Sequence, residues 1–410
     1  MQRLSRSLSC RSDESSSDSC FDTIETRSTA PTELHPPVLP IDVLLDIFSL
    51  AVEATPSAKD RQALCLSIAT LSSDWTDIGL RLLYSSHLSF RAKLFSSRKK
   101  RFSRFYRTVL SDDYLASAVQ SLTIDTTLVG DKLTALLGCC TGLKKLGLQK
   151  GEVPICHLHS ASRVTSLSLS GLSLTADSPR FFKSSLPYPF TLADLPLVFP
   201  HLTHLTLSLV WLTAPVVPKV LDATVFPALT HLTTASILSW TTHGVRDGLF
   251  ALSPPLTHLT ILDPLRWTRH ALLRCTITSP LLHLRVAEAA RQPASLRHVL
   301  PFLVAAPHSL QTLHLHARAI PKRATHTGPG GGNALPVLTR GLILALCERR
   351  ESVVELKKLT LGGPGWKDVP ALRESIELLV GVAGTRGVEV CCCFDEDTSG
   401  WVDGEQEWEP

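Results

Sequence analysis

The chain of 410 residues has no Cys-x-x-Cys pair, and its 11 cysteines form no even framework. A secreted disulfide scaffold is thereby excluded. A reducing intracellular compartment is expected, cytoplasmic, nuclear or both. The first residues, MQRLSRSLSCRSDESSSDSC, carry no apolar signal core. No run approaches eighteen apolar residues, so no membrane span is expected. There is no nucleophile elbow, no HExxH and no paired-carboxylate motif, so no enzyme and no catalytic residue is expected. The run GPGGGN lacks the GxxxxGK[ST] arrangement of a phosphate loop, and no cofactor is expected. A net charge of +4 is too mild to imply nucleic acid. What remains is a hydrophobic content of 44%, that of a globular protein long enough to bury a large core.

Composition divides the chain. Residues 1–34 are rich in Ser and poor in large apolar side chains, which reads as a disordered tail. Residues 35–90 form a compact apolar block. Within it, LPIDVLLDIFSLAVE (39–53) reads as a helix with a narrow polar stripe of Asp42, Asp46, Ser49 and Glu53. The apolar arc spans roughly 200°, against about 100° for an ordinary surface helix, so it needs covering on two sides. After a loop at EATPSAKDRQ, the stretch ALCLSIATLSSDWTDIGLRLLY predicts two short helices meeting near Trp75. Three short helices make a marginal core, so the block looks like half of an interface.

LPIDVLLDIF, a gap, then LCLSIATLSSDWTDIGLRLLY resembles an F-box, particularly the fungal type whose second half has a Leu-rich helix, a Trp and a Leu-Leu-Tyr ending. The resemblance covers about fifty residues. It implies a small all-α domain that docks onto a Skp-type adaptor and, through it, a cullin–RING ubiquitin ligase. Leu39, Pro40, Val43, Leu44, Ile47 and Phe48 match the opening motif and Trp75 the usual Trp. These are the expected adaptor-binding residues.

Residues 91–117 read as a basic linker. RAKLFSSRKKRFSRFYR carries eight basic side chains and no acidic one, interleaved with aromatics. Clustered Lys and Arg suit nuclear import or nucleic acid. The same stretch also reads as an amphipathic connecting helix, aromatics inward and charges solvated.

From 118 to 393 the chain repeats. The signature is an apolar residue, two others, Leu, one other, and an apolar residue. It occurs as VQSLTI, LKKLGL, VTSLSL, LTHLTL, LTHLTT, LTHLTI, LLHLRV, LQTLHL and LKKLTL. The central leucines are Leu122, Leu146, Leu167, Leu205, Leu232, Leu259, Leu284, Leu313 and Leu359, and most intervals lie between 21 and 29 residues. That is the leucine-rich-repeat period. The expected fold is α/β: a leucine-rich-repeat solenoid with parallel strands on the concave side and helices outside, preceded by the F-box. Neighbouring repeats supply one another's core. DKLTALLGCC, ASLRHVLPFLVAA and LTRGLILALCERR read as covering helices, and VPALRESIELLVGVAGTRGVEVCCC as a last helix and strand. TADSPRFFKSSLPYPFTLADLPLVFP and IPKRATHTGPGGGNALPVL read as insertions on one rim. On the last strand, alternation buries Cys392 and exposes its neighbours. Residues 394–410 read as a solvated acidic tail.

Strand alternation directs the residue before each central Leu, and the residue after it, to the concave face. The candidate target-binding residues are His204, Thr206, His231, Thr233, His258, Thr260, His283, Arg285 and His314. Four successive histidines form a strip that could meet a partner, or could be exposed by repeat duplication alone. A line of imidazoles is not a tetrahedron, and no metal is expected. Two functions fit: the substrate-recognition subunit of a Skp–cullin–F-box ligase, or a repeat scaffold that binds a protein with no ubiquitin role. Neither needs a membrane or nucleic acid.

Overall fold

The fold is described from a computed structural model. It describes residues 39–90, 97–175, 199–208, 211–212, 228–235, 238–239, 256–262, 281–287, 296, 299, 310–318, 334–350, 353–367 and 372–395. The expected N-terminal tail, residues 396–410 of the expected acidic tail, the helix expected at ASLRHVLPFLVAA apart from Leu296 and Val299, and most of the two rim insertions lie outside these residues. The chain divides into two units, residues 1–47 and 48–410.

Of the first unit, residues 39–47 are described, and they hold the start of helix α1 (Ile41–Glu53). The Pro40 carbonyl opens it by accepting from Leu44 N–H at 3.1 Å. Asp42 sits in the first turn, where the helix dipole favours a negative charge.

The second unit begins within α1 and continues through helices α2 (Ala58–Leu71) and α3 (Thr76–Ser85). Ser57 caps α2 by accepting from Asp60 N–H. A 3₁₀ turn at Ser73–Trp75 makes the corner expected near Trp75. There the Thr76 hydroxyl donates back to the Ala69 carbonyl at 2.9 Å. Gly79 lets α3 lie against α2, since a Cβ there would stand 2.7 Å from the Ala69 Cα.

The core of this unit is a parallel sheet whose main path has eleven strands. They are β1 (His87–Phe90), β2 (Ser121–Asp125), β3 (Lys145–Pro154), β4 (Ser166–Thr175), β5 (His204–Ser208), β7 (His231–Ala235), β9 (His258–Ile261), β10 (His283–Ala287), β11 (Thr312–His316), β12 (Lys358–Gly362) and β13 (Glu389–Cys393). Each pairs with its predecessor in one register, so the nine central leucines align, flanked by Leu88 on β1 and Val390 on β13. None of the nine is more than 2% exposed. Burial of each stabilises the stack by roughly 2 kcal/mol relative to exposure. The architecture is therefore α/β and repeat-like, a parallel-sheet solenoid in organisation.

Helices cover the sheet where the chain is described between strands. They are α4 (Ser97–Ser111), α5 (Asp113–Ala118), α6 (Leu133–Cys139), α7 (Ala334–Cys347) and α8 (Leu372–Thr385). From Ser97 on, the basic stretch folds as the amphipathic α4. Phe102, Phe105 and Val109 are buried, and Phe90 and Tyr84 pack on Phe105. The sheet thus starts at His87, ahead of the first repeat signature. The expected rim insertion at 320–338 also ends early, because Ala334–Leu338 already belong to α7. Pro336 is tolerated in a first turn, where its missing N–H has no intrahelical acceptor.

A second row of strands was not foreseen. β3 and β4 turn a corner together: Lys150 and Gly151 take φ 59° and 85°, and Gly171 takes 62°. Beyond it, Gly151–Pro154 pair with Leu172–Thr175. The two-residue strands β6 (Trp211–Leu212) and β8 (Leu238–Ser239) extend that row. At the far end, Cys392 is exposed rather than buried. Its neighbour in register, Leu361, is covered, but among the described residues no further strand pairs with β13.

Candidate functional site

Parallel pairing without slippage carries a repeated residue into a straight column. His204, His231, His258 and His283 start β5, β7, β9 and β10 and are neighbours in register. Their rings stack with centroids 4.1, 4.0 and 4.2 Å apart and interplanar angles of 16°, 12° and 20°. Strands themselves lie about 4.8 Å apart, so the rings lean into contact.

A column of hydroxyls aligns the stack. Thr203, Thr230 and Thr257 each place Oγ1 2.8 Å from Nδ1 of the following histidine. Thr312, on the next strand, does so for His283 at 2.9 Å. The first three hydroxyls also lie 3.0–3.3 Å from the carbonyls of Thr165, Thr203 and Thr230 on the preceding strands. These threonines were not among the residues expected from the sequence. The signal was present in the Thr-His pair of LTHLT, written three times.

Burial and crowding keep the imidazoles neutral. Burial, then the charges His204 and His283 would carry, pushes His231 down from 6.5 to about 4. His258, between two such neighbours and close to Arg285, is pushed down to about 3, again chiefly by burial. His204 is lowered by burial and by Lys145, and His283 by burial and by Arg285. Mutual repulsion between rings this close is thus second to desolvation.

The second column runs through Thr206, Thr233, Thr260, Arg285, His314 and Thr360 in register. Thr206, Thr233, Arg285 and His314 are half-buried. Thr260 departs from expectation: it is buried, a short side chain beside the longer Arg285. In these two columns the charged side chains among the described residues are Lys145, Arg285 and Lys358, with Glu389 on the edge strand β13.

The residues matched to an adaptor-binding motif fall in two groups. On and just before α1, Leu39, Val43 and Ile47 are 46%, 42% and 47% exposed, Pro40 is exposed and Leu44 half-buried. Ile41 and Leu50 on the same helix are 67% and 66% exposed. Phe48 and Trp75 meet each other instead, edge to face with centroids 5.3 Å apart, and tie α1 to the turn before α3.

Among the described residues, no group of three or more His, Cys, Asp or Glu side chains is gathered so as to hold a metal ion. Stacked imidazoles explain this in part, since their lone pairs run parallel and do not converge. None of the described helices is long and apolar enough to cross a membrane. No protein-family model matches the chain, and no curated protein matches it.

Proposed function

We propose that the chain is the substrate-recognition subunit of a Skp–cullin–F-box ubiquitin ligase. In this reading the N-terminal helices bind the Skp-type adaptor, and the repeat sheet holds a target protein. The observation that carries the reading is the exposure of α1. In a chain that buries every central leucine of its sheet, Leu39, Ile41, Val43, Ile47 and Leu50 are left 42–67% exposed on one short helix and its lead-in. Three of them, Leu39, Val43 and Ile47, belong to the F-box-like opening motif. Docking is the ordinary reason to keep such side chains out of a core. Phe48 and Trp75 then act from within, holding the helices in position for the contact.

The target's place is the histidine face. Its threonines, serines and imidazoles offer hydrogen bonds with little desolvation cost, and a repeat array multiplies such contacts across many strands.

Co-purification with a Skp-type adaptor tests the first half. Leu44→Asp combined with Ile47→Asp should abolish it, while circular dichroism of the sheet stays unchanged. Undiminished co-purification by the double variant would leave a repeat scaffold with no ubiquitin role as the better reading.

A further inference from the structure

Helix α4 carries its charges where a helix by itself would not put them. Its sequence, SRKKRFSRFYRTVLS, has no acidic residue. Lys99 and Lys100 lie in the first turn, at the positive end of the helix dipole, and the last turn holds no basic residue. Lys100 and Arg104 stand four residues apart and Arg104 and Arg107 three apart, spacings at which like charges on a helix repel. Lys99, Lys100, Arg101, Arg104 and Arg107 are all exposed, and among the described residues none of the five is in an ion pair. Lys132 joins them from the side, its Nζ 5.4 Å from the centre of the Tyr106 ring. The acids that follow the helix are Asp112 and Asp113, and Asp112 is engaged as the cap of α5, accepting from Leu115 N–H at 3.0 Å. Dipole and like charges both oppose the helix, and the buried Phe102, Phe105 and Val109 hold it in place against them. A bound polyanion would offset the repulsion, which accounts for so concentrated a departure from the ordinary rules of helix charge.

We propose that the outer face of α4 binds the phosphate backbone of double-stranded DNA without reading its sequence. The whole chain's charge is a mild +4, but five cations are gathered on this one helix. Three features select the occupant. A protein partner is held through an apolar centre, and between these cations the face offers Ser103 and Thr108; the exposed Leu110 stands beyond them, towards the end of the helix. A basic helix holds a bilayer by inserting its apolar side, and that side of α4 is buried in the sheet's core. The third feature is the spread of the cations. At 3.6 residues per turn, Lys99 and Arg101 lie on opposite flanks about 160° apart, with Lys100, Arg104 and Arg107 on the crest between them. Charges spread so widely suit two phosphate rows better than one strand. B-form DNA holds its rows across a major groove about 12 Å wide, near the diameter of a helix, whereas the major groove of duplex RNA is deep and narrow. Contacts to phosphate give affinity and register but carry no sequence information. This binding needs neither an adaptor nor a ligase target.

Fluorescence anisotropy of the full chain with a short labelled DNA duplex measures the binding. With five phosphates neutralised, affinity should fall roughly 500-fold between 50 and 200 mM salt, a log–log slope of about −4.5. The variant Lys100→Gln, Arg104→Gln, Arg107→Gln should flatten the slope by about 2.7 and weaken binding about a hundredfold at 100 mM salt. Its circular dichroism should be unchanged and its melting temperature no lower, because it removes like charges from an exposed face. A control variant, Lys144→Gln, Arg163→Gln, Lys357→Gln, removes as much charge at exposed positions elsewhere and should bind as the wild type does. Single-stranded DNA, an RNA duplex, oligoglutamate, and vesicles of phosphatidylserine and phosphatidylcholine in equal parts serve as competitors, and each should bind more weakly than the DNA duplex.

Undiminished binding by the α4 variant, an equal loss in the control, or a lower melting temperature of the α4 variant would overturn the assignment to this helix. Tighter binding of the RNA duplex or of the single strand would overturn the choice of duplex DNA. Tighter binding of oligoglutamate or of the vesicles would overturn nucleic acid as the partner, and so would the absence of any duplex binding at 50 mM salt.

Discussion

The depressed pKa values of the stacked histidines should appear as a specific loss of stability in mild acid. Take His231 and His258, held near 4 and 3 against an ordinary 6.5. Between these values the unfolded chain binds protons that the native stack refuses. Stability is then fully present above pH 6.5 and is lost as pH falls towards 3–4. At pH 5 an unfolded imidazole is almost fully charged and its native counterpart is not, a difference of ~2 kcal/mol for each residue. The pair sums to ~4 kcal/mol, and solvent screening of half-buried rings reduces this to ~2 kcal/mol. Urea unfolding at pH 7.5 and pH 5.0, followed by circular dichroism, measures the change. Carboxylates also titrate in this range, so the informative quantity is the difference from the variant His231→Gln, His258→Gln. The wild type should lose ~2 kcal/mol more than the variant between the two pH values. Equal losses would mean that the stacked rings titrate as free histidines do, and that neither burial nor the stack perturbs them.

Three substitutions probe the sheet itself. Thr234 is 1% exposed with no hydrogen-bond partner for its hydroxyl among the described residues, in a column whose neighbours are Leu207 and Ile261; Thr234→Val should raise the urea midpoint, by ~1–3 kcal/mol in stability, with an unchanged slope. Asp125 is fully buried, accepts from Thr127 N–H and Oγ1–H at 3.2 and 2.6 Å, and lies 3.6 Å from Lys150; Asp125→Ala should destabilise by ~1–3 kcal/mol, read as a lower melting temperature, as it removes those hydrogen bonds to a charged group. Gly142→Ala should destabilise by ~1–3 kcal/mol, because its new methyl group would collide with the Ser117 carbonyl.

Much of the sheet was legible because its signal is written many times. The strands, their register and the histidine column all follow from one six-residue signature repeated at a tolerant interval. The elements that escaped are those written once or differently. His87–Phe90 opens the sheet, but HLSF follows a helix and falls outside the regular spacing. The corner at Lys150, Gly151 and Gly171 depends on backbone conformations that leave a faint trace in composition. Thr260 is buried because of its particular neighbour, which alternation does not foresee. At the histidine site the sequence placed the rings, while the threonines beside their Nδ1 atoms occupy a position that the signature leaves unspecified. The difference lies in the Oγ1–Nδ1 distance, which exists only after folding.

Among the described residues β13 is the last strand of the sheet, and this makes the molecule readable from one end. A one-dimensional array comes apart layer by layer, and an end layer has one neighbour where an inner layer has two. Cys392 and Cys393 are exposed on that end layer. A pair of dyes, one on this edge and one on an inner strand, would separate at the first step of unzipping under load. The far end should hold longer, since β1 is clasped by α4 through Phe90, Phe102 and Phe105. Pulled from both termini, the sheet should therefore peel in one direction, and the histidine column should come apart from His283 towards His204.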